Sequence, residues 1–568
     1  MKEILQKEIE KILIDLGAKD LNVSVVHSVY LDKGDYTTSV AMVHGKELGK
    51  NPMDLAEEIK KELLSKEKIR AKELSNISKI EVVKPGFINF FFTPEYFSER
   101  LEELKNGEVK NKIFNNQKVI IEYTDPNPFK EFHIGHLMPN VIGEAISRII
   151  EKNGAEVQRA NYQGDVGLHV AKAVWSMKKG TDLMSAYAEG HKAYEENEDA
   201  KKEIIEINKK IYSKSDDEIN DLYESGRQKS LLYFEVMYQI LGTKFDHYFF
   251  ESEVADFGKE TVLKNIGKVF EESDGAVVFK GENYDKKLHT RVFVNKEGLP
   301  TYEAKELGLA KLKYDTYPYD TSIVITGNEI NEYFKVLLKA MSLVFPELAQ
   351  RTKHISHGML RLPEGKMSSR TGNIITAESL ITKVTETVLE KMKSAPAKYE
   401  YTHTMSDSHF DVHKASTEVA IGAIKYSILR QAIGGDIIFD FDKSISFEGD
   451  SGPYLQYATV RANSILKKAE GTVSISNSIP EGWETTNLER LLERFFSVLE
   501  RAGTEYAPHY ITTYLTELAG EFNSFYASGK IIDETEHTSP YRLALTESFM
   551  KIMTQGLSLL GIKVPEKM

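Results

Sequence analysis

The chain has 568 residues, 41% hydrophobic and 28% charged, proportions of a folded protein with about three domains by length. It has no cysteine, which excludes disulfides, thiolate zinc sites and cysteine nucleophiles. Its formal net charge of −13 argues against a nucleic-acid packager and leaves any polyanion to local basic patches.

Residues 1 to about 100 read as a small α+β unit. Ile4, Ile9, Ile12 and Leu16 recur at helical spacing, and strand-like stretches follow at 21–26, 36–44 and 80–92. A helical run at 52–65 precedes the last of these. Val83-Lys84-Pro85-Gly86-Phe87-Ile88-Asn89-Phe90 has the form of a hairpin, a turn pair followed by alternating apolar residues. Residues 99–111 are a charged, helix-prone linker. From Lys118 the pattern becomes strand, helix, strand, and this alternation predicts a parallel, doubly wound sheet over residues 112–390. Within it, residues 176–256 are mostly charged and helical and look like an insertion. Strand patterns resume at 288–295 and 323–326, with helices at 302–312 and 329–345. Residues 391–568 carry helical runs at 416–432, 453–469, 488–502, 511–528 and 541–560, which predict a separate all-α domain. No apolar run approaches the ~20 residues of a membrane span, and residues 1–8 lack a signal-peptide core. A cytoplasmic protein with no membrane partner is expected.

His133-Ile134-Gly135-His136 is the first stretch with chemistry in it. It lies between a strand-like run at 118–123, with a turn-like Asp125-Pro126-Asn127-Pro128, and a helix whose apolar residues include Leu137, Val141, Ile142, Ala145 and Ile149. A helix N-terminus offers free backbone N–H groups and partial positive charge, and so suits a phosphate. Two imidazoles three residues apart can donate to phosphoryl oxygens. Gly135 would leave room for a flat base or ribose. The plainer alternative is a helix start whose histidines cap and pack.

A second stretch, Leu362-Pro363-Glu364-Gly365-Lys366-Met367-Ser368-Ser369-Arg370-Thr371-Gly372-Asn373, gathers cations, hydroxyls and glycines in one loop. Such a loop can close over a nucleotide. It can equally be an exposed polar connection.

Taken together, these two stretches resemble the HIGH and KMSKS signatures of class I aminoacyl-tRNA synthetases. Their flanks, Asn127-Pro128-Phe129-Lys130-Glu131-Phe132 and Leu360-Arg361-Leu362-Pro363-Glu364-Gly365, resemble those of the arginyl-tRNA synthetase family. Pro85-Gly86-Phe87-Ile88-Asn89-Phe90 is similar to the end of that family's N-terminal domain. Phe447-Glu448-Gly449-Asp450-Ser451-Gly452-Pro453-Tyr454, Phe522-Asn523-Ser524-Phe525-Tyr526 and the ending from Leu560 to Met568 are similar to its helical DALR-type domain.

The resemblance implies an α/β architecture: a Rossmann-type parallel-sheet catalytic domain, an N-terminal α+β domain that contacts the tRNA elbow, and a C-terminal all-α anticodon-binding domain. It implies an arginine–tRNA ligase that uses ATP with Mg²⁺ to form arginyl-adenylate and passes the arginyl group to the 3′ end of tRNA(Arg). No tightly bound cofactor or protein metal site is expected, and the enzyme is expected to be a monomer. His133, His136, Lys366 and Ser368 would act on the phosphates, with Gly135, Met367, Ser369 and Asn127 binding ATP. Arginine would be held by Glu122, Asp125, Asn127, Tyr302, Glu306 and Glu329; bidentate carboxylates suit a planar guanidinium.

The chain departs from the family pattern in several places. Ser369 stands where the loop usually has a second lysine, and Lys130, three residues before His133, could supply the missing charge. Glu306 stands where an aspartate is usual. Met138 and Asp165-Val166-Gly167 also differ from many relatives. Three other readings remain open: a glutamyl or class I lysyl synthetase, a small-molecule nucleotidyltransferase, and a non-catalytic RNA-binding paralogue. Carboxylates in the pocket disfavour glutamate, the long helical tail disfavours the nucleotidyltransferase, and intact His133, His136 and Lys366 disfavour the paralogue. Lysine is physically compatible.

Overall fold

The computed structural model describes residues 1–65, 74–106, 112–361, 375–394 and 411–568. They divide into two compact units. One comprises residues 1–108, 458–498 and 514–555, the other 109–457, 499–513 and 556–568.

The first unit opens with helix Lys2–Asp15, whose buried stripe is Leu5, Ile9, Ile12 and Leu13. This stripe shares a core with Val25, Tyr36, Ile80, Ile88 and Phe90 of an antiparallel sheet. Its strands, β1 (Val25–His27), β2 (Tyr36–Thr38), β3 (Ile77–Val83) and β4 (Phe87–Phe92), lie in the order β1-β2-β4-β3. The expected hairpin is β3–β4, with Val83 opposite Phe87 across the turn. The strand expected over 36–44 stops at Thr38, and Val40–His44 is a short helix. Val40, Ala41 and His44 are its buried residues, a helical spacing that a strand would not give. The linker expected at 99–111 starts as helix Pro94–Asn106. Mainly helical segments complete the unit: Glu493 accepts hydrogen bonds from Tyr36 (3.2 Å) and Tyr96 (2.9 Å), and Asp35 pairs with Arg490.

The second unit is built on a parallel sheet. β5 (Lys118–Glu122), β6 (Glu156–Gln163) and β7 (His247–Phe250) run to one side. β8 (Glu271–Ser273), β9 (Ala276–Lys280) and β10 (Thr290–Val294) form a separate antiparallel sheet. β11 (Thr321–Gly327) and β12 (Thr352–His357) return to the other side of β5, giving the order β12-β11-β5-β6-β7. Strand order therefore reverses between β5 and β11, and ligands of such sheets bind in the crevice at the strands' C-terminal ends there. Val119, Ile120 and Ile121 are all buried, as in a sheet covered on both faces.

The strand expected at 288–295 is β10, in the small sheet. β7 lies inside the span read as a helical insertion; four residues are too few for periodicity to register. The rest of that span is helical as expected, in Leu183–Glu196, Glu198–Ser213 and Asp217–Leu241. Helix Ile134–Lys152 lies so close to the segment after β5 that a Cβ on Gly143 would fall 2.2 Å from Tyr123 Cγ. Among the described residues no helix is long and apolar enough to cross a membrane.

Candidate active site

Between β5 and helix Ile134–Lys152 the chain passes through Thr124, Asp125 and Phe129 at φ of 82°, 45° and 67°. Left-handed backbone at a non-glycine residue costs about 1–3 kcal/mol, so this loop must be held from outside. Asp125 Oδ1 accepts from the Tyr162 amide (2.8 Å), Asn140 Nδ2 donates to Thr124 Oγ1 (3.0 Å), and the Phe129 amide donates to Ser230 Oγ (2.9 Å). Each partner lies on another element.

The loop delivers His133 as the N-cap of the helix. His133 Nδ1 accepts from the Gly135 amide (3.1 Å), and the His133 amide donates to His136 Nδ1 (3.3 Å). The rings stack at 3.7 Å with 19° between planes. Burial and the Lys130 charge lower His133 to about 4. Burial, then His133 and Lys130, push His136 well below its ordinary value. Both rings are therefore neutral near pH 7. Because Nδ1 accepts in each, the proton sits on Nε2, leaving two N–H donors at the positive end of a helix. Gly135 also meets a constraint within the protein: a Cβ there would stand 2.8 Å from His133 Cε1 and Nδ1. The glycine makes room for the capping imidazole.

These residues face a cavity of about 720 Å³ lined by Asp125, Asn127, His133, Gly135, His136, Glu329 and Arg361, among others. The chain leaves the described residues after Arg361, on the cavity wall, and returns beside His133. There Ile134 donates to Ile375 O (3.3 Å) and Ala377 to Phe132 O (2.9 Å). Lys366, Met367, Ser368 and Ser369 lie outside the described residues.

Carboxylates gather at the C-terminal end of β5. Glu122, its last residue, is buried and accepts from Lys313 Nζ at 2.7 Å. Burial, then the Glu122 charge, raises Asp125 well above the carboxylate range and Glu306 to about 8. Lys313 also bears on both, in the opposite sense. Glu306 lies on helix Tyr302–Thr316, as does Lys313.

The expected site residues thus fall into three groups. Asp125, Asn127, His133, Gly135, His136 and Glu329 share the cavity. Glu122, Asp125 and Glu306 are coupled through charge. Tyr302 stands apart, 58% exposed, with Lys305 Nζ 5.3 Å from its ring. Lys130 Nζ lies 4.5 Å over the Tyr187 ring, and burial with the Lys172 charge lowers it to about 8. Sequence reasoning passed over Lys313, although it sits seven residues from Glu306 on one helical stripe. It noted Asp165 only as a departure. That buried carboxylate accepts from the Ser252 amide (2.9 Å), Ser252 Oγ (2.7 Å), Arg227 Nε (3.0 Å) and Tyr223 (3.1 Å), tying the loop after β6 to two helices. Among the described residues no group of three or more His, Asp or Glu is placed to hold a metal ion.

The sequence matches three families: tRNA synthetases class I (R), catalytic domain, over residues 101–441; the DALR anticodon binding domain over 455–568; and the arginyl tRNA synthetase N terminal domain over 1–92. It is 30% identical over 563 residues to an arginine–tRNA ligase of Porphyromonas gingivalis, covering 91% of each chain. It is 30% identical over 596 residues to one of Clostridium acetobutylicum, covering 100% of both. Its fold is similar to an arginyl-tRNA synthetase structure from Thermus thermophilus (TM-score 0.73, 23% identity, 100% of both chains). A structure from Plasmodium falciparum is similar as well (TM-score 0.78, 21% identity, 100% and 98%).

Proposed function

The chain belongs to the arginyl-tRNA synthetase family, and from that premise we propose how its residues carry out arginine–tRNA ligation. A carboxylate oxygen of L-arginine attacks the α-phosphorus of ATP, and the bond to pyrophosphate breaks. A ribose hydroxyl of the terminal adenosine of tRNA(Arg) then attacks the carbonyl carbon, and AMP leaves. Neither step needs a covalent enzyme intermediate, so catalysis is placement plus neutralisation of phosphate charge.

In this reading the Nε2–H groups of His133 and His136 donate to the phosphates at the helix N-terminus, beside Gly135. Lys366, Met367, Ser368 and Ser369 are assigned to the ATP phosphates on the family resemblance alone, and Lys130 supplies the charge that Ser369 lacks. Mg²⁺ arrives with ATP as part of the substrate. Asp125 and Asn127 take the α-ammonium; Glu122 and Glu306 take the guanidinium, with Tyr302 at the helix start and Glu329 on the cavity wall. The enzyme acts in the cytoplasm as a monomer.

The observation that carries the reading is the convergence of Glu122, Asp125 and Glu306 beside a cavity that presents two neutral imidazole donors. Among the described residues, the buried Glu122 and the half-buried Asp125 and Glu306 outnumber the Lys313 ammonium that bears on them, and such a group wants a cationic substrate. The test is charging of total tRNA with each amino acid in turn, together with ATP–pyrophosphate exchange with and without tRNA. Arginine alone should be charged, and exchange should need tRNA. Charging that does not depend on arginine sinks the assignment, and robust exchange without tRNA removes the second expectation.

A further inference from the structure

Lys313 is a resident cation on Glu122, one of the carboxylates assigned above to arginine. It is 4% exposed, Glu122 is 2% exposed, and 2.7 Å separates Nζ from Oε2. Burial is the largest influence and opposes its charge, but Glu122, by charge and by hydrogen bond, acts with Tyr319 and Glu306 to hold the ammonium above its ordinary value. Tyr319, Glu306 and Asp125 also interact with it by charge. Seven residues separate Lys313 from Glu306, two helical turns, so both project from one stripe of helix Tyr302–Thr316 toward the end of β5.

We propose that Lys313 is a specificity-determining residue that favours arginine over lysine by occupying the place on Glu122 that a substrate ammonium would take; the inference rests on the arginine reading of this pocket. Charge count does not separate the two amino acids, since each brings two cationic groups. Position does. A lysine ammonium is a compact point charge that gains most by sitting directly on a carboxylate oxygen. At Glu122 it would meet the Lys313 ammonium, a like charge in a poorly screened interior. A guanidinium spreads its charge over a plane and can take both oxygens of one carboxylate, such as Glu306, side-on. It does not need the oxygen that Lys313 holds. Without Lys313, Glu122 becomes an open acceptor for an ammonium, and lysine gains more than arginine.

The experiment uses the full chain with total tRNA and labelled arginine or lysine, and reads the ratio of kcat/KM for the two. Lys313→Gln can still donate to Glu122 but carries no charge, which limits the risk that the variant fails to fold. The arginine-to-lysine ratio should fall about tenfold or more in Lys313→Gln, with KM for ATP unchanged. Lys313→Arg, which restores the cation, should keep the wild-type ratio. A merely structural ion pair would lower both amino acids together and leave the ratio alone, and that result overturns the proposal. An equal fall of the ratio in Lys313→Arg also overturns it. Wild-type chain that charges no arginine refutes the functional reading itself, an outcome separate from either variant's.

Discussion

The two ends of the candidate site are held together over very different distances along the chain. At the histidine end the contacts that set the chemistry are local: His133 Nδ1 meets an amide two residues on, and the His133 amide meets a ring three residues on. At the carboxylate end, the Lys313–Glu122 pair joins residues 191 apart. A local device works wherever its few residues adopt a helix start. A long-range device exists only when the whole sheet and its flanking helix are assembled, and it stores its electrostatics in burial. The histidine end should therefore lose activity when cut, and the carboxylate end should lose stability as well.

Glu122→Gln tests the second half most severely. It leaves the Lys313 ammonium buried with no carboxylate, a loss of about 3–5 kcal/mol in stability, read as a lower unfolding midpoint. Glu306→Gln should not lower the midpoint at neutral pH and should raise it, because folding the wild-type chain there must place a proton on a carboxyl that is ionised when unfolded, and the amide needs none. Equal midpoints for the two variants would erase the distinction. At the other end, His136→Ala removes one Nε2–H donor and one capping acceptor. Turnover in tRNA-dependent exchange should drop roughly 10²–10³-fold, as for loss of one preorganised donor, while stability falls by about 1 kcal/mol, the usual worth of a helix cap.

The same contrast explains what could be read in advance. The strand, loop and helix around His133, the β3–β4 hairpin and the helical character of residues 183–241 all rest on contacts a few residues apart, and local pattern records those. Glu122 and Glu306 could be named as acids facing a cation. Their coupling to Lys313 could not, because it depends on strand order placing β5 beside β11 and on a helix laid across that junction. The contact of Gly135 with the His133 ring went unread for the opposite cause. Its constraint is local, but it depends on the ring of His133 folding back as a cap, a rotamer that no spacing reveals. β7 escaped because its four residues pair with β6 only in the finished sheet.

Acid and base values sharpen the comparison further. Glu306 stands at about 8 against an ordinary 4.5, raised by burial and Glu122. Glu251 and Glu303 act in the same sense, and Lys313 in the opposite one. A carboxyl raised on folding contributes stability fully below pH 4.5 and loses it as pH rises through 8. Guanidinium binding needs the ionised form, so arginine binding releases a proton below pH 8. KM for arginine should fall about tenfold for each pH unit gained between 6.5 and 7.5. His133, lowered to about 4, is already neutral across that window, so KM for ATP should stay flat. Parallel pH profiles for the two substrates would contradict the division.

Lys130 is where the division is weakest, and its removal is the smallest effect expected. By sequence it belongs to the histidine end, three residues before His133. Its charge bears on His133 and His136, yet its ammonium lies over Tyr187 of helix Leu183–Glu196 and is opposed by Lys172. Burial and Lys172 lower it to about 8, so it loses charge just above neutrality. If it supplies the phosphate charge that Ser369 lacks, Lys130→Ala should lower turnover about tenfold, comparable to one desolvated charge contact. The loss should shrink above pH 8, where wild-type Lys130 is itself neutral. Turnover within a few-fold of wild type at pH 7 would mean that the charge comes from elsewhere, and the histidine end would then be complete without any contribution from the helical insertion.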